Sequence, residues 1–261
     1  MDVEARFTVH ELIADFMDRW LDDAVPAGEL ERIRREGASP SGLLAPMHDA
    51  LVPGITLLRE RSFSTRLGNL HERVAEVVGR AAHAEAKRAY DLSGTMPALA
   101  REFITQRLRT LESGEAEPSV PEERQALLNS FGQAVADETR IDLRIVTATG
   151  EEHFFEMKSA KPNKGQCIEM KQRLMKAVAL RGSDSARAWW GVPYNPYGTA
   201  EYAHPYPRRF FDFRGEVKMG PDFWNFIGSD GNTYDELLAV YRDVGSAYSQ
   251  KLRELLSQTP Q

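Results

Sequence analysis

The 261-residue sequence has a single cysteine, Cys167, and no run of eighteen apolar residues. One cysteine excludes an internal disulfide and any cysteine-rich zinc site, and without a long apolar run no membrane-spanning helix is expected. The first residues include acids and lack an apolar stretch ending in small residues, so no signal peptide is expected. These absences favour a protein of the reducing cytoplasm.

Two ligand-binding motifs are also missing from the sequence. The six histidines do not occur at the HxxxH spacing of metal sites, and no G-x-x-x-x-G-K-[ST] segment is present. A histidine-based zinc site and the use of ATP are therefore not predicted.

Charge is distributed unevenly along the chain. The net charge is −6, whereas residues 156–187 carry eight Lys or Arg and only three acids, so this window is +5 and the remainder −11. An acidic protein with one surface that faces a polyanion would look like this. A solvated helix face with scattered lysines explains the same pattern equally well.

The hydrophobic pattern divides the chain into two parts. Apolar residues recur at helical spacing in 8–22, 64–90 and 97–111, and the polar, proline-containing stretch 112–123 is predicted to be a loop. From residue 139 the pattern changes to strands at 139–148 and 153–160, a basic helix at 165–181, an apolar strand after residue 186 and two closing helices. We predict an α/β fold in which a central mixed β-sheet is flanked by helices and the N-terminal half is helical.

The first two predicted strands carry a group of charged residues. Glu156 and Lys158 share a face of the second strand because side chains alternate. With a turn near Gly150, Asp142 lies opposite or diagonal to Glu156 on the neighbouring strand. Two carboxylates and one ammonium therefore converge on one sheet face.

This arrangement fits metal-dependent hydrolysis of a phosphodiester. Two buried carboxylates are costly side by side unless a cation joins them, and Mg²⁺ prefers one or two carboxylates together with water and phosphate. Asp142 and Glu156 would hold Mg²⁺ with the Met157 carbonyl as a third protein ligand, and Lys158 would orient water or bind phosphate oxygens. The alternative is the solvent face of an edge hairpin, for which E-x-K is common. Asp142 at hairpin spacing and the basic segment that follows favour a site.

The order Asp, turn, Glu-x-Lys, basic helix and apolar strand resembles the core of PD-(D/E)xK nucleases. More specifically, FFEMKSAKPNKGQ (154–166), ERSFSTRLGNLHERVAE (60–76) and GPDFWNFIGSDGNTYDELL (220–238) resemble segments of TdeIII/MjaII-type restriction endonucleases. One departure is Ile141, which stands where the superfamily motif has proline.

This resemblance implies a type II restriction endonuclease that cuts double-stranded DNA with Mg²⁺ at a short palindromic site such as GGNCC. Palindromic cutting implies a two-fold homodimer. Residues 1–261 would form a single catalytic domain, with a mainly helical part (1–120), the nuclease core sheet and DNA-recognition segment (121–232) and a C-terminal helix (233–261).

Further residues are predicted around this centre. Either Glu72 or Glu76 would add an acid near the metal from an early helix, although a solvated acidic face explains both. The remaining residues are predicted to contact DNA through phosphates or bases. They are Lys161, Lys164, Gln166, Lys171, Asn195, Tyr197, Tyr202, His204, Arg208 and Arg209. The alternative for residues 195–209 is a connector whose aromatic side chains pack on the core.

Three other functions are considered. A repair or junction-cleaving nuclease would share the metal site but lack sequence specificity, and a DNA-binding module would keep the fold without cleavage. A helical protein-interaction scaffold would account for the acidic first half but not for the basic residues beside the E-x-K strand. The three residues Asp142, Glu156 and Lys158 are all present, which favours a nuclease.

Overall fold

The structure, a computed structural model, describes residues 1–24, 46–51 and 61–257. In these residues the chain forms nine helices and one five-stranded sheet. The helices are α1 (Val3–Ala24), α2 (Pro46–Leu51), α3 (Arg61–Ala82), α4 (Ala98–Ser113), α5 (Val120–Leu128), α6 (Lys164–Arg181), α7 (Pro205–Phe210), α8 (Pro221–Ile227) and α9 (Thr233–Ser257). The strands are β1 (Glu85–Pro97), β2 (Ala134–Val146), β3 (Glu152–Met157), β4 (Ala186–Val192) and β5 (Val217–Met219).

The strands lie in the sheet in chain order. β1, β2 and β3 pair antiparallel, whereas β3, β4 and β5 are parallel to one another. The predicted α/β fold with a mixed sheet and flanking helices is therefore confirmed. Because parallel strands end at the same edge of a sheet, the segments that follow β3 and β4 leave the sheet side by side.

Helices cover both faces of the sheet. The adjacent residues Phe154 and Phe155 point to opposite faces and belong to different hydrophobic clusters. Phe154 packs in the cluster that contains Ala177 of α6, and Phe155 packs in the one that contains Val74 of α3 and Tyr241 of α9. Across the described residues, no helix has both the length and the apolar character needed to cross a membrane.

The predicted helix over 64–90 is confirmed as far as Ala82 and is wrong over residues 83–90. α3 ends at Ala82, and β1 pairs with β2 from Glu85↔Val146 to Pro97↔Ala134. In this long ladder the backbone hydrogen bonds of β1 are made with residues about fifty positions away. Pairing with a distant strand therefore overrides the helical periodicity of the local sequence. The predicted loop 112–123 is shorter than expected, because α4 continues to Ser113 and α5 begins at Val120.

The alternation of side chains between the two sheet faces is interrupted at one point in the β1–β2 ladder. Arg88 pairs with Leu143 and Tyr90 with Ile141, but the intervening residues Ala89 and Asp142 do not pair regularly. Ala89 has φ 50°, in the left-handed region. Ile141 and Leu143, which would share a face in a regular strand, pack in clusters on opposite faces. Asp142 therefore lies at a local distortion of the sheet.

Candidate active site

Asp142, Glu156 and Lys158, here called the catalytic edge, converge where β2 and β3 separate. The pair Leu143↔Phe155 is the last regular one, so Asp142 lies opposite Glu156. β3 ends at Met157, and Lys158 therefore lies beyond the strand rather than within it as predicted. Its ammonium nitrogen Nζ is still 3.2 Å from Asp142 Oδ2 and 3.9 Å from Glu156 Oε2.

Asp142 is held against the end of β3 by two donors. Its Oδ2 accepts a 2.7 Å hydrogen bond from the backbone N–H of Met157 and one of 3.2 Å from the Lys158 ammonium. Burial opposes the charge of Lys158, but Asp142 and Glu156 outweigh it and raise the pKa of this lysine. Lys158 is thus an ammonium at neutral pH.

Glu156 is fully buried and incompletely satisfied. Arg173 of α6 donates a 3.3 Å hydrogen bond to Oε2, while Oε1 has no hydrogen-bond partner among the described residues. Burial, and next the charge of Asp142, raise the pKa of Glu156 to about 8 against the opposing effects of Lys158 and Arg173. Further positive charge at this carboxylate would therefore be favourable.

Two carboxylates are available here for a cation. Across the part of the chain that the structure describes, no three His, Cys, Asp or Glu side chains are grouped so that they could hold a metal ion together. Asp142 and Glu156 alone still fit Mg²⁺, which takes one or two carboxylates and completes its shell with water and phosphate. The unpartnered oxygen of Glu156 supports this fit.

Glu72 and Glu76 of α3 have different surroundings. Glu76 Oε1 accepts hydrogen bonds from Arg80 (2.9 Å) and from the backbone N–H of Arg88 (3.1 Å), so it holds β1 beside the distortion. Glu72 lies closer to the catalytic edge. Burial and the charge of Asp142 raise its pKa to about 7.

The cations of the predicted basic helix beside this site do not form one solvent-exposed surface. Lys171 is fully buried between Glu123 and Glu216, with Nζ 2.6 Å from Glu123 Oε2. Arg107 donates a 2.9 Å hydrogen bond to the same Glu123. These four residues are here called the buried ion cluster. The prediction that Lys171 contacts DNA is therefore wrong, because the charge is enclosed and paired.

Other cations of α6 also neutralise carboxylates from the sheet. Lys176 lies 2.7 Å from Asp137 on β2, and Arg181 lies 2.6 Å from Glu152 on β3. Sequence reasoning missed Arg173 as a partner of Glu156. The sequence shows only that Arg173 lies one helical turn from Glu169, with which it also forms an ion pair. The contact with Glu156 forms because α6 packs on the sheet.

Three of the predicted phosphate contacts lie in the loop after Lys158 and the first turn of α6. Lys161 is exposed, with Nζ 4.7 Å from the centre of the Tyr197 ring. Lys164 is exposed and 2.8 Å from the Glu112 carboxylate. Gln166 instead forms a capping box with Asn163 at the start of α6: its side-chain Oε1 accepts from the Asn163 backbone N–H, and its backbone N–H donates to the Asn163 side chain. Lys161 is therefore the least neutralised of these residues.

The segment after β4 folds back on itself. Asn195 accepts a hydrogen bond from the Tyr197 N–H (3.0 Å) and donates one to the Ala200 carbonyl (2.8 Å), so its amide closes a turn. Arg208 donates to the Tyr202 carbonyl (3.0 Å). Arg209 donates to the Glu112 carbonyl (3.2 Å), and both arginines remain exposed.

Known proteins are similar to this chain over most of its length. The family model of the type II restriction endonuclease HinfI matches residues 8–245. The chain is 30% identical to the type II restriction enzyme HgiCII of Herpetosiphon aurantiacus over 263 residues, which covers 94% of this chain and 96% of the relative. It is 34% identical to the type II restriction enzyme HgiBI of the same organism over 232 residues, 84% of each chain.

Proposed function

The chain belongs to the HinfI family of type II restriction endonucleases, and we propose that it hydrolyses phosphodiester bonds of double-stranded DNA with Mg²⁺ at the catalytic edge. The enzyme class predicted from the sequence is confirmed by the family and its relatives. A repair nuclease without specificity, a non-catalytic module and an interaction scaffold are therefore set aside.

The observation that carries the metal assignment is the state of Glu156. Glu156 is fully buried beside Asp142, one of its oxygens is unpartnered, and its pKa stays raised despite Lys158 and Arg173, so a further cation would favour its ionised form. We assign Mg²⁺ to Asp142 and Glu156, with the Met157 carbonyl as a third protein ligand. When bound, this ion would activate water and stabilise the charge on the scissile phosphate.

The chain's own residues would prepare the phosphate for attack. Lys158, kept charged by Asp142 and Glu156, would orient the attacking water or bind a phosphate oxygen. Arg173 would limit the repulsion between Glu156 and an incoming phosphate. Of the two acids on α3, Glu72 rather than Glu76 would act near the metal, since burial and then the charge of Asp142 raise its pKa, although Glu72 also lies 3.7 Å from Arg88 of β1.

DNA would approach the sheet edge at which β3 and β4 end. Lys161 would bind a phosphate, with Lys164 and Gln166 in minor roles. Arg208 and Arg209 are exposed and stay our proposed base contacts, together with Asn195 if its turn opens on DNA.

Several finer predictions are kept as proposals. The sheet would be a PD-(D/E)xK core within a single catalytic domain, in support of which one hydrophobic cluster joins α1, α3 and α9 to the sheet. The TdeIII/MjaII-type likeness, a GGNCC-like recognition site, a homodimer in which each subunit cuts one strand, and a cytoplasmic location also stay predictions.

The test is digestion of unmethylated phage DNA with Mg²⁺, comparing the wild type with Lys158→Ala. Lys251→Ala is the matched control because Lys251 is an exposed lysine of α9. We expect discrete fragments from the wild type and the control and none from Lys158→Ala. A smear would contradict sequence-specific cutting, and intact DNA with a folded wild type would contradict the catalytic assignment.

A further inference from the structure

Two segments leave the sheet side by side at the catalytic edge. Residues 158–163 follow β3, and residues 193–204 follow its parallel neighbour β4. The first segment begins with Lys158, and the second leads to α7, which carries the proposed base contacts. Their mutual contacts therefore join the chemical centre to the segment proposed to read DNA.

The shorter of the two hydrogen bonds between these segments is buried. The Tyr202 hydroxyl donates a 2.7 Å hydrogen bond to the carbonyl of Ala160, two residues after Lys158. Tyr202 and Ala160 are 5% and 4% exposed, so water cannot readily replace this donor. The His204 ring nitrogen Nε2 lies 3.0 Å from the Pro162 carbonyl, to which it donates as the protonated nitrogen. Two donors of one segment thus hold alternate carbonyls of the other.

Tyr202 is also fixed from the opposite side. Its ring packs edge-on against Trp190 of β4, with centroids 5.9 Å apart, and lies 5.2 Å from the ring of Phe213. Its own carbonyl accepts the 3.0 Å hydrogen bond from Arg208 Nε. One residue therefore contacts both the loop of Lys158 and the guanidinium of a proposed base contact.

We propose that Tyr202 is a positioning residue that couples DNA recognition to the placement of Lys158. The inference rests on the proposed function. When Arg208 binds DNA, a shift of its guanidinium moves the Tyr202 carbonyl. The rigid Tyr202 ring passes this shift to the Ala160 carbonyl, and thus to the loop that carries the Lys158 ammonium. Lys158 is then aligned fully only on the correct site.

Tyr202→Phe tests this proposal because it keeps the ring and removes the hydroxyl. The matched control is Tyr248→Phe, since the Tyr248 hydroxyl donates a 3.1 Å hydrogen bond to the Ala14 carbonyl in the helical part. We expect kcat on the cognate site to fall by about 10- to 100-fold in Tyr202→Phe, with KM little changed. The preference for the cognate site over sites with one changed base pair should also fall. Tyr248→Phe should keep wild-type kcat and preference.

Amide hydrogen exchange gives a readout that does not depend on cleavage. Residues 158–166 should exchange faster in Tyr202→Phe than in the wild type or in Tyr248→Phe. Unchanged exchange would overturn the proposal, as would wild-type kcat and preference, or a rise in KM alone, which would make Tyr202 a DNA contact. If the wild type does not cut DNA, the proposed function fails, whereas the exchange experiment still decides whether Tyr202 holds the loop.

Discussion

The catalytic edge and the buried ion cluster each place one lysine between two carboxylates, but only one of them is closed. In the buried ion cluster the lysine is fully buried, whereas Lys158 of the catalytic edge is 27% exposed. The separations also differ. Lys158 is 3.2 and 3.9 Å from its two carboxylates, while Lys171 is 2.6 Å from Glu123 and closer still to Glu216.

The two sites also differ in how many hydrogen bonds their carboxylates accept. In the buried ion cluster Glu216 accepts both from Lys171 and from the backbone N–H of Asp212 (2.9 Å), and Glu123 accepts from Arg107. In the catalytic edge an oxygen of Glu156 lacks a hydrogen-bond partner in the described structure. A closed network holds helices together, whereas an open one keeps capacity for a cation and a phosphate.

The largest expected effect is the loss of cleavage on substitution of Glu156, which distinguishes a catalytic carboxylate from one that only holds the fold together. Glu156→Gln removes a charge proposed to hold Mg²⁺, so cleavage should fall by at least about 10³-fold. DNA binding without divalent metal should persist, and above about pH 8 it should tighten, because there Glu156 is ionised in the wild type and repels phosphate. Cleavage rates and fluorescence-anisotropy titrations measure the two quantities. Loss of binding together with cleavage would indicate a folding role for Glu156 instead.

The matched control is Glu216→Gln in the buried ion cluster. Removing one partner of a buried pair costs about 3 kcal/mol or more, so Tm should fall by about 6–12 °C. Below that temperature, cleavage should stay within a few-fold of the wild type. If Glu216→Gln abolished cleavage in a folded protein, the distinction between an open and a closed site would be wrong.

A second, smaller effect is the pH dependence of the metal-free protein. Since the pKa of Glu156 is raised from its ordinary value of 4.5 to about 8, the folded state binds more protons than the unfolded state between these values. Stability is therefore greatest below about pH 4.5 for this group and falls as pH rises towards 8, by up to about 1 kcal/mol per unit. Glu72, raised to about 7, acts in the same direction.

Thermal denaturation in EDTA between pH 5 and pH 9 measures this contribution. Glu156→Gln should be more stable than the wild type at pH 9 and nearly equal to it at pH 5. Glu216→Gln should be less stable than the wild type at both values. A Tm difference between Glu156→Gln and the wild type that does not change with pH would show that Glu156 is already compensated.

The catalytic edge could be predicted from the sequence because its geometry is local. Asp142 and Glu156 lie on adjacent strands joined by a short turn at Gly150, so register and alternation bring them together. The helical periodicity of α1 and α4 was also sufficient. β1 was not predictable from the same pattern, because its partner strand lies about fifty residues away and its Ala89 backbone is irregular.

The role of the basic helix could not be deduced for the same reason. Lys171 lies 48 residues after Glu123 and 45 residues before Glu216, so no spacing indicates that the three form one cluster. Lys158 and Lys171 look alike in the sequence, as lysines in one basic window. Only the packing of α6 separates an enclosed cation from one at an open edge.

The smallest expected effect applies the same distinction to two surface lysines. Among the described residues, the ammonium of Lys161 lies beside the Tyr197 ring and forms no ion pair, whereas the charge of Lys164 is already paired with Glu112. Lys161→Ala should weaken binding to any DNA sequence by about fivefold and reduce the slope of log K against log salt by about one. Lys164→Ala should do less, because a paired cation releases fewer counterions. DNA-binding titrations at several salt concentrations measure both effects. If Lys161→Ala weakened binding only when one particular base position was present, Lys161 would contact a base rather than a phosphate.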